Sequence, residues 1–158
     1  MPISADDATA ELLAVLRESC EGPPEGGSYF TDNDPAAGLF GTLDGLTSEA
    51  ASREIAGSSA AAHAHHAAFG MEAAAAWIRG DRSKRDWSES WSVRSVDGPA
   101  WSRLRETVRA RYGDLRRAIE SDAAGSRDAV GGAVGAIAHV AYHLGAIRQK
   151  AAAVRAGP

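Results

Sequence analysis

A chain of 158 residues, 44% hydrophobic and 24% charged, has material for about one core, so one domain over residues 1–158 is expected. Its net charge of −4, with arginines spread over several segments, gives no footing for a phosphate backbone and argues against nucleic acid as a partner. No apolar run approaches the ~18 residues needed to cross a bilayer, and Cys20 is the only cysteine, which excludes an internal disulfide and a cysteine-based zinc site.

The amino terminus carries acids where a secretory signal would carry lysine or arginine, so a cytoplasmic location and no membrane partner are expected. Residues 5–20, ADDATAELLAVLRESC, predict a first helix with Leu12, Leu13, Val15 and Leu16 on one side. Asp6, Asp7 and Glu11 sit toward the end where the helix dipole favours negative charge. The following stretch, from Glu21 to Leu46, has the prolines, glycines and Asp-Asn-Asp run of a long loop. Its Tyr29, Phe30, Leu39, Phe40 and Leu43 predict a segment packed across the helices, with a short helical turn.

Thr47 to Arg79 is helix-forming, with a break near Gly57-Ser58-Ser59 and Gly80 placed to end the helix. Residues 81–99 form an ordered polar connection anchored by Trp87 and Trp91. Asp97 and Pro99 mark the start of a third helix, on which Trp101, Leu104, Val108, Tyr112, Leu115 and Ile119 recur at threes and fours. Ser126 caps a fourth, running from Arg127 to Arg155. Strand-like alternation is missing. The predicted fold is therefore all-α, a four-helix bundle with a long loop between helices one and two and a long crossover between two and three. A crossover of that length lets the second and third helices run parallel.

Five histidines then stand out. On the second helix, Ile55, Ala62, Phe69, Ala73 and Trp77 mark the apolar face, and His66 falls in the middle of it. His63 lies about 60° away at the edge of that face, while His65 is displaced by about 100° toward solvent or a loop. On the fourth helix Val130, Val134, Ile137, Ala141 and Leu144 form the stripe, widened by Ala133, Val140 and Ile147, and His139 and His143 sit beyond that side. An i, i+4 pair stacks its imidazoles on one face, so both rings can turn toward one ion. With His66 directed at the core from another helix, three buried imidazoles without carboxylate partners are costly unless a cation or solvent satisfies them. Trp77 and Trp101 are expected in the core. Glu72 and Arg148 lie on the histidine-bearing helices but are turned away from the histidine faces, and carry no assigned role.

The segments GLTSEAASREIAGSSAAAHAHHAAFGMEAAAAWIRG, WSESWSV and HVAYHLGAIRQ together resemble the DinB-like family of helical proteins, over most of the chain from Phe40 onward. The resemblance implies a four-helix bundle in which helices two and three are parallel and three histidines hold a divalent ion: nickel, zinc, iron or manganese. It carries over onto His66, His139 and His143 as metal ligands, with His63 as second support or alternative ligand, and it implies a homodimer. In thiol-transferring relatives the metal lowers the pKa of a low-molecular-weight thiol, so the resemblance implies S-transferase-type chemistry on a small-molecule substrate. Three neutral imidazoles leave positions open for water or substrate, as in a catalytic ion. Two classes stand side by side at this point: a metal-dependent thiol transferase or hydrolase, and a non-catalytic metal-binding helical module or dimeric interaction protein.

Overall fold

The computed structural model describes residues 4–157. Among the described residues there are six α-helices: α1 (Ala5–Glu21), α2 (Leu39–Asp44), α3 (Ser48–Ser52), α4 (Ala60–Ile78), α5 (Gly98–Asp122) and α6 (Arg127–Ala156). Among the described residues there is no strand, only an isolated bridge between Ile55 and Ser58. The fold is all-α, as the sequence implies.

Local chemistry sets the helix ends. Ser4 and Asp7 close a reciprocal capping box at α1, and Thr47, Ser59, Asp97 and Ser126 each accept an amide hydrogen bond at the start of α3, α4, α5 and α6. Gly80, at φ +92°, follows the end of α4 in the left-handed conformation that glycine adopts without strain. The break expected near Gly57-Ser58-Ser59 is present: the stretch from Thr47 forms two helices, α3 and α4, separated by the tight turn that joins Ile55 to Ser58.

The four long helices pack side by side around one apolar cluster that includes Leu16, Leu43, Met71, Trp101, Val108, Leu115, Ile119, Val140 and Ile147. α4 touches both α5 and α6. Its contacts with α5 advance together along the two helices, from Ser59 with the Arg94 carbonyl just before α5, through the Glu72–Arg111 ion pair, to Arg79–Asp114. α4 and α5 are therefore parallel. Against α6 the order reverses, since His63 meets His143, His66 meets His139 and Trp77 reaches Asp128.

Three expectations about packing are corrected. Trp77 is 42% exposed because its indole lies over Gly132, whose missing side chain leaves a recess that the ring covers only partly. Val130 and Val134 are also exposed. The buried face of α6 is rotated toward its smaller residues Ala129, Ala133 and Ala136 and runs on through Val140, His143 and Ile147, so His143 lies within the buried face instead of beyond its edge. By length and composition alone α6 could also cross a membrane, although no unbroken apolar run announces it; here its small-residue face packs on α4 and carries two histidines and the buried Lys150.

The loop after α1 is ordered, though not through Tyr29 and Phe30, which are both exposed. Its anchor is Glu18, 1% exposed. The Glu18 carboxylate accepts hydrogen bonds from the hydroxyls of Ser28 and Thr31 and from the amides of Tyr29, Phe30 and Thr31, at 2.7–3.1 Å. Burial works to raise its pKa, but the Ser28 hydroxyl and the three amides outweigh it and hold the carboxyl at about 2. Leu39 and Leu43 of α2 then enter the core as expected.

A folded-state pKa below the unfolded value of 4.5 means that Glu18 contributes stability that is complete above that pH and is lost as pH falls toward 2. Acid titration of the wild type should show this loss, and Glu18→Ala should flatten that part of the curve. At neutral pH the variant, which takes the acceptor away from two hydroxyls and three amides of the part-buried loop, should be less stable by on the order of 3 kcal/mol in urea denaturation.

Candidate metal centre

The site is built where the alanine-rich α4 runs antiparallel to α6. Ala60, Ala61, Ala64, Ala67 and Ala68 are all buried, and residues this small let two helices approach closely enough for imidazoles to meet. Two rungs result. His63 Nδ1 lies 2.8 Å from His143 Nδ1, and His66 Nε2 lies 3.0 Å from His139 Nε2. The rungs are joined because His143 Nε2 is 3.1 Å from His139 Nε2. His66, His139 and His143 each bring one ring nitrogen within 4.8 Å of the others, a group able to hold a metal ion. His63 is buried beside them and His65 turns away, its Nδ1 donating to the Ser90 carbonyl at 2.8 Å.

The hydrogen bonds around His66 fix its tautomer. Ser90 Oγ donates to the Trp87 carbonyl at 2.6 Å, so its one hydrogen is used. His66 Nδ1, 2.8 Å from the same oxygen, must then be the donor, and His66 Nε2 is left bare and aimed at His139. For His143 to offer a bare Nε2 as well, its Nδ1–H donates to His63 Nδ1; His63 then carries its hydrogen on Nε2, which reaches Ser58 Oγ at 3.0 Å. His139 is held differently. A Cβ on Gly70 would stand 2.5 Å from His139 Cε1 and 2.6 Å from Nδ1, so that edge of the imidazole occupies space that only a glycine leaves open.

This arrangement fits a cation. A ring nitrogen carries either a hydrogen or a lone pair, and one hydrogen on His139 Nε2 cannot point squarely at both the His66 and the His143 nitrogens. A shared ion, accepting all three lone pairs, removes the conflict. Two of the separations are 3.0 and 3.1 Å and all three nitrogens lie within 4.8 Å of one another, close enough for the rings to share one ion. Burial, then the neighbouring His139, His63 and His65, lowers His66 from the ordinary 6.5 to about 4. Burial, then His139, His66 and His63, lowers His143 to about 3. Burial lowers His139 too. All three are neutral at neutral pH. Among the described residues no carboxylate hydrogen-bonds to these rings, so an ion here keeps its full positive charge.

A 3₁₀ turn, Trp87–Trp91, roofs the cluster. Trp91 stacks on His66 with ring centres 4.2 Å apart and planes 23° from parallel, and meets His63 edge-on at 5.3 Å. The two tryptophans do anchor the connection, and what they anchor it to is the histidine cluster. Glu72 and Arg148 are occupied in ion pairs with Arg85, Arg111 and Asp32. Residue spacing did not single out Ser58, Gly70 or Ser90. Gly70 left one trace, a helix-interior glycine four residues after His66, where alanine would propagate the helix better.

Ser90→Ala should lower affinity for Zn²⁺ or Ni²⁺ by about 10–100-fold, as removal of a ligand-orienting partner does elsewhere. Gly70→Ala should do at least as much, because the imidazole must swing aside to admit the methyl group. Helicity by circular dichroism should be unchanged in both, and chelator-competition titration reads the affinity.

No protein-family model, no curated protein and no solved structure matches this chain.

Proposed function

We propose that this chain is a divalent-metal-dependent enzyme of the DinB-like kind, a four-helix bundle in which His66, His139 and His143 hold the ion. The observation that carries the reading is the convergence of three neutral ring nitrogens from two antiparallel helices, two of their separations 3.0 and 3.1 Å. His66 is oriented by Ser90, His143 by His63, and His139 by the space that Gly70 leaves for its ring edge. Trp91 covers one face of His66 and keeps water from that side. His66 and His139 are only half-buried, and His139 also lines an open groove, so a ligand can reach the centre from there. The ion supplies Lewis acidity, which lowers the pKa of a water or thiol in an open position. With no carboxylate to offset that charge, an anionic oxygen or sulfur is the preferred occupant, which favours thiol-dependent transfer or hydrolysis over a closed structural ion. The parallel α4 and α5 support the same family topology, and the proposed setting is a cytoplasmic homodimer.

Protein equilibrated with Zn²⁺ or Ni²⁺ and dialysed should retain one ion per chain by elemental analysis. His66→Ala, His139→Ala and His143→Ala should each lose it, while His65→Ala keeps it; retained stoichiometric metal in all three overturns the assignment. At a free metal concentration a hundredfold above Kd, wild type should gain about 2.7 kcal/mol, seen as a rise in Tm of roughly 5–10 °C. Metal-loaded protein should then turn over an electrophile in the presence of a low-molecular-weight thiol, and His139→Ala should not.

A further inference from the structure

The groove that ends at His139 is more than an entrance. It holds about 1020 Å³ between the second half of α4, the first half of α6 and the start of the connection, as much as a small organic ligand needs. Its floor on α6 is Gly131, Gly132 and Gly135, and indoles of Trp77 and Trp87 line its sides. Gly132 is forced by packing, since a Cβ there would stand 2.8 Å from Trp77. Gly131 and Gly135 are not, because a Cβ at either meets nothing within 4 Å. Each glycine weakens the helix relative to alanine. What the two preserve is open space over the floor.

The charge of the rim is equally specific. Arg82, Lys84, Arg85 and Arg127 line the groove against Asp81 and Asp128, an excess of two positive charges on a chain whose net charge is −4. Arg82 is paired with Asp128, and Arg85 with Glu72 and Asp81. Lys84 and Arg127 have no ion-pair or hydrogen-bond partner among the described residues. Arg127 also begins α6, where the helix dipole adds to the attraction for an anion. From Asp128 to His139 the helix rises about 16 Å, so the cationic rim and the histidine end are far enough apart to be met by opposite ends of one ligand.

We propose that this groove binds an amphipathic organic monoanion, its carboxylate held by Lys84 and Arg127 and its planar apolar body laid over Gly131 and Gly135 beside Trp77, with the far end toward His139. The groove abuts the proposed metal centre, yet its occupancy is argued from cavity, indoles and rim charge and needs no ion.

Binding of 1-naphthylacetate, and of its uncharged isostere 1-naphthylacetamide, is followed by quenching of tryptophan fluorescence and by calorimetry on full-length protein, with and without Zn²⁺. The acid should bind at least tenfold more tightly than the amide, and less tightly as salt is raised. Lys84→Ala with Arg127→Ala should remove that preference. Gly135→Leu, whose side chain enters open space, should fold and load Zn²⁺ as wild type does but lose at least tenfold in affinity for the acid. Equal binding of acid and amide, undiminished binding by Gly135→Leu, or acid binding that vanishes when Zn²⁺ is removed each overturns the proposal. Failure of the metal reading would look different: no retained ion, with the acid still bound.

Discussion

The antiparallel seam between α4 and α6 is the constraint on which the site depends. Alanines on one helix and small residues on the other set how near the two backbones come, and the register places His63 opposite His143 and His66 opposite His139. Imidazole is a short side chain. Two of them facing across a seam lined by leucines would not touch, whereas across this one their nitrogens are 2.8 and 3.0 Å apart. Small residues here give up buried apolar area, and α6 gives up helix propensity at its glycines. The bulkier parts of the core, among them Leu16, Leu43, Val108, Leu115 and Ile119, lie toward α1, α2 and α5 and compensate on the other side of the molecule.

Each of the three rings is supported by a different device, and each device comes from a different stretch of chain. Ser90 belongs to the connection, His63 and Ser58 to the start of α4, and Gly70 to its middle. Burial keeps the rings neutral, the Ser90 hydroxyl leaves His66 Nε2 unprotonated, and donation from His143 Nδ1 to His63 would leave His143 Nε2 unprotonated as well. Neutrality and orientation together separate a ligand set from a row of helical histidines.

Much of this was legible in the sequence, and the failures share a cause. Caps at Asp97 and Ser126, the end at Gly80, the buried Trp101 and the i, i+4 pair on the last helix could be read because each is a local rule. Helix faces were read by hydrophobicity, and there the largest apolar residues misled: Val130, Val134 and Trp77 drew the inferred faces toward themselves, while the true seam is made of alanine and glycine, which hydrophobic periodicity weights least. His66 was placed on a face defined partly by Ile55 and Trp77, neither of which is buried. Tyr29 and Phe30 misled in the same way, since the loop that holds them is fixed by a carboxylate ten residues upstream. Gly70, Ser58 and Ser90 act only through tertiary contact, and no local rule announces them.

The topology also explains why the site has a roof. Parallel α4 and α5 require the chain leaving Ile78 to travel back to the level of Ser59 before α5 can begin, roughly 28 Å along a nineteen-residue helix. The connection makes that journey along α4 itself. Arg85 meets Glu72, Trp87 meets Phe69, Ser90 meets His66, Trp91 meets His63, and the Arg94 carbonyl meets Ser59, so its residues descend α4 turn by turn. A connection that must pass over the histidine face is available to shape it, and this one places a hydroxyl on His66 and an indole across it. Its first residues, Asp81 to Arg85, meanwhile form the charged edge of the groove. One crossover, demanded by helix direction alone, thus supplies the hydroxyl that orients His66, the hydrophobic cover and the cationic rim, and links the order of that segment to the geometry of the three imidazoles.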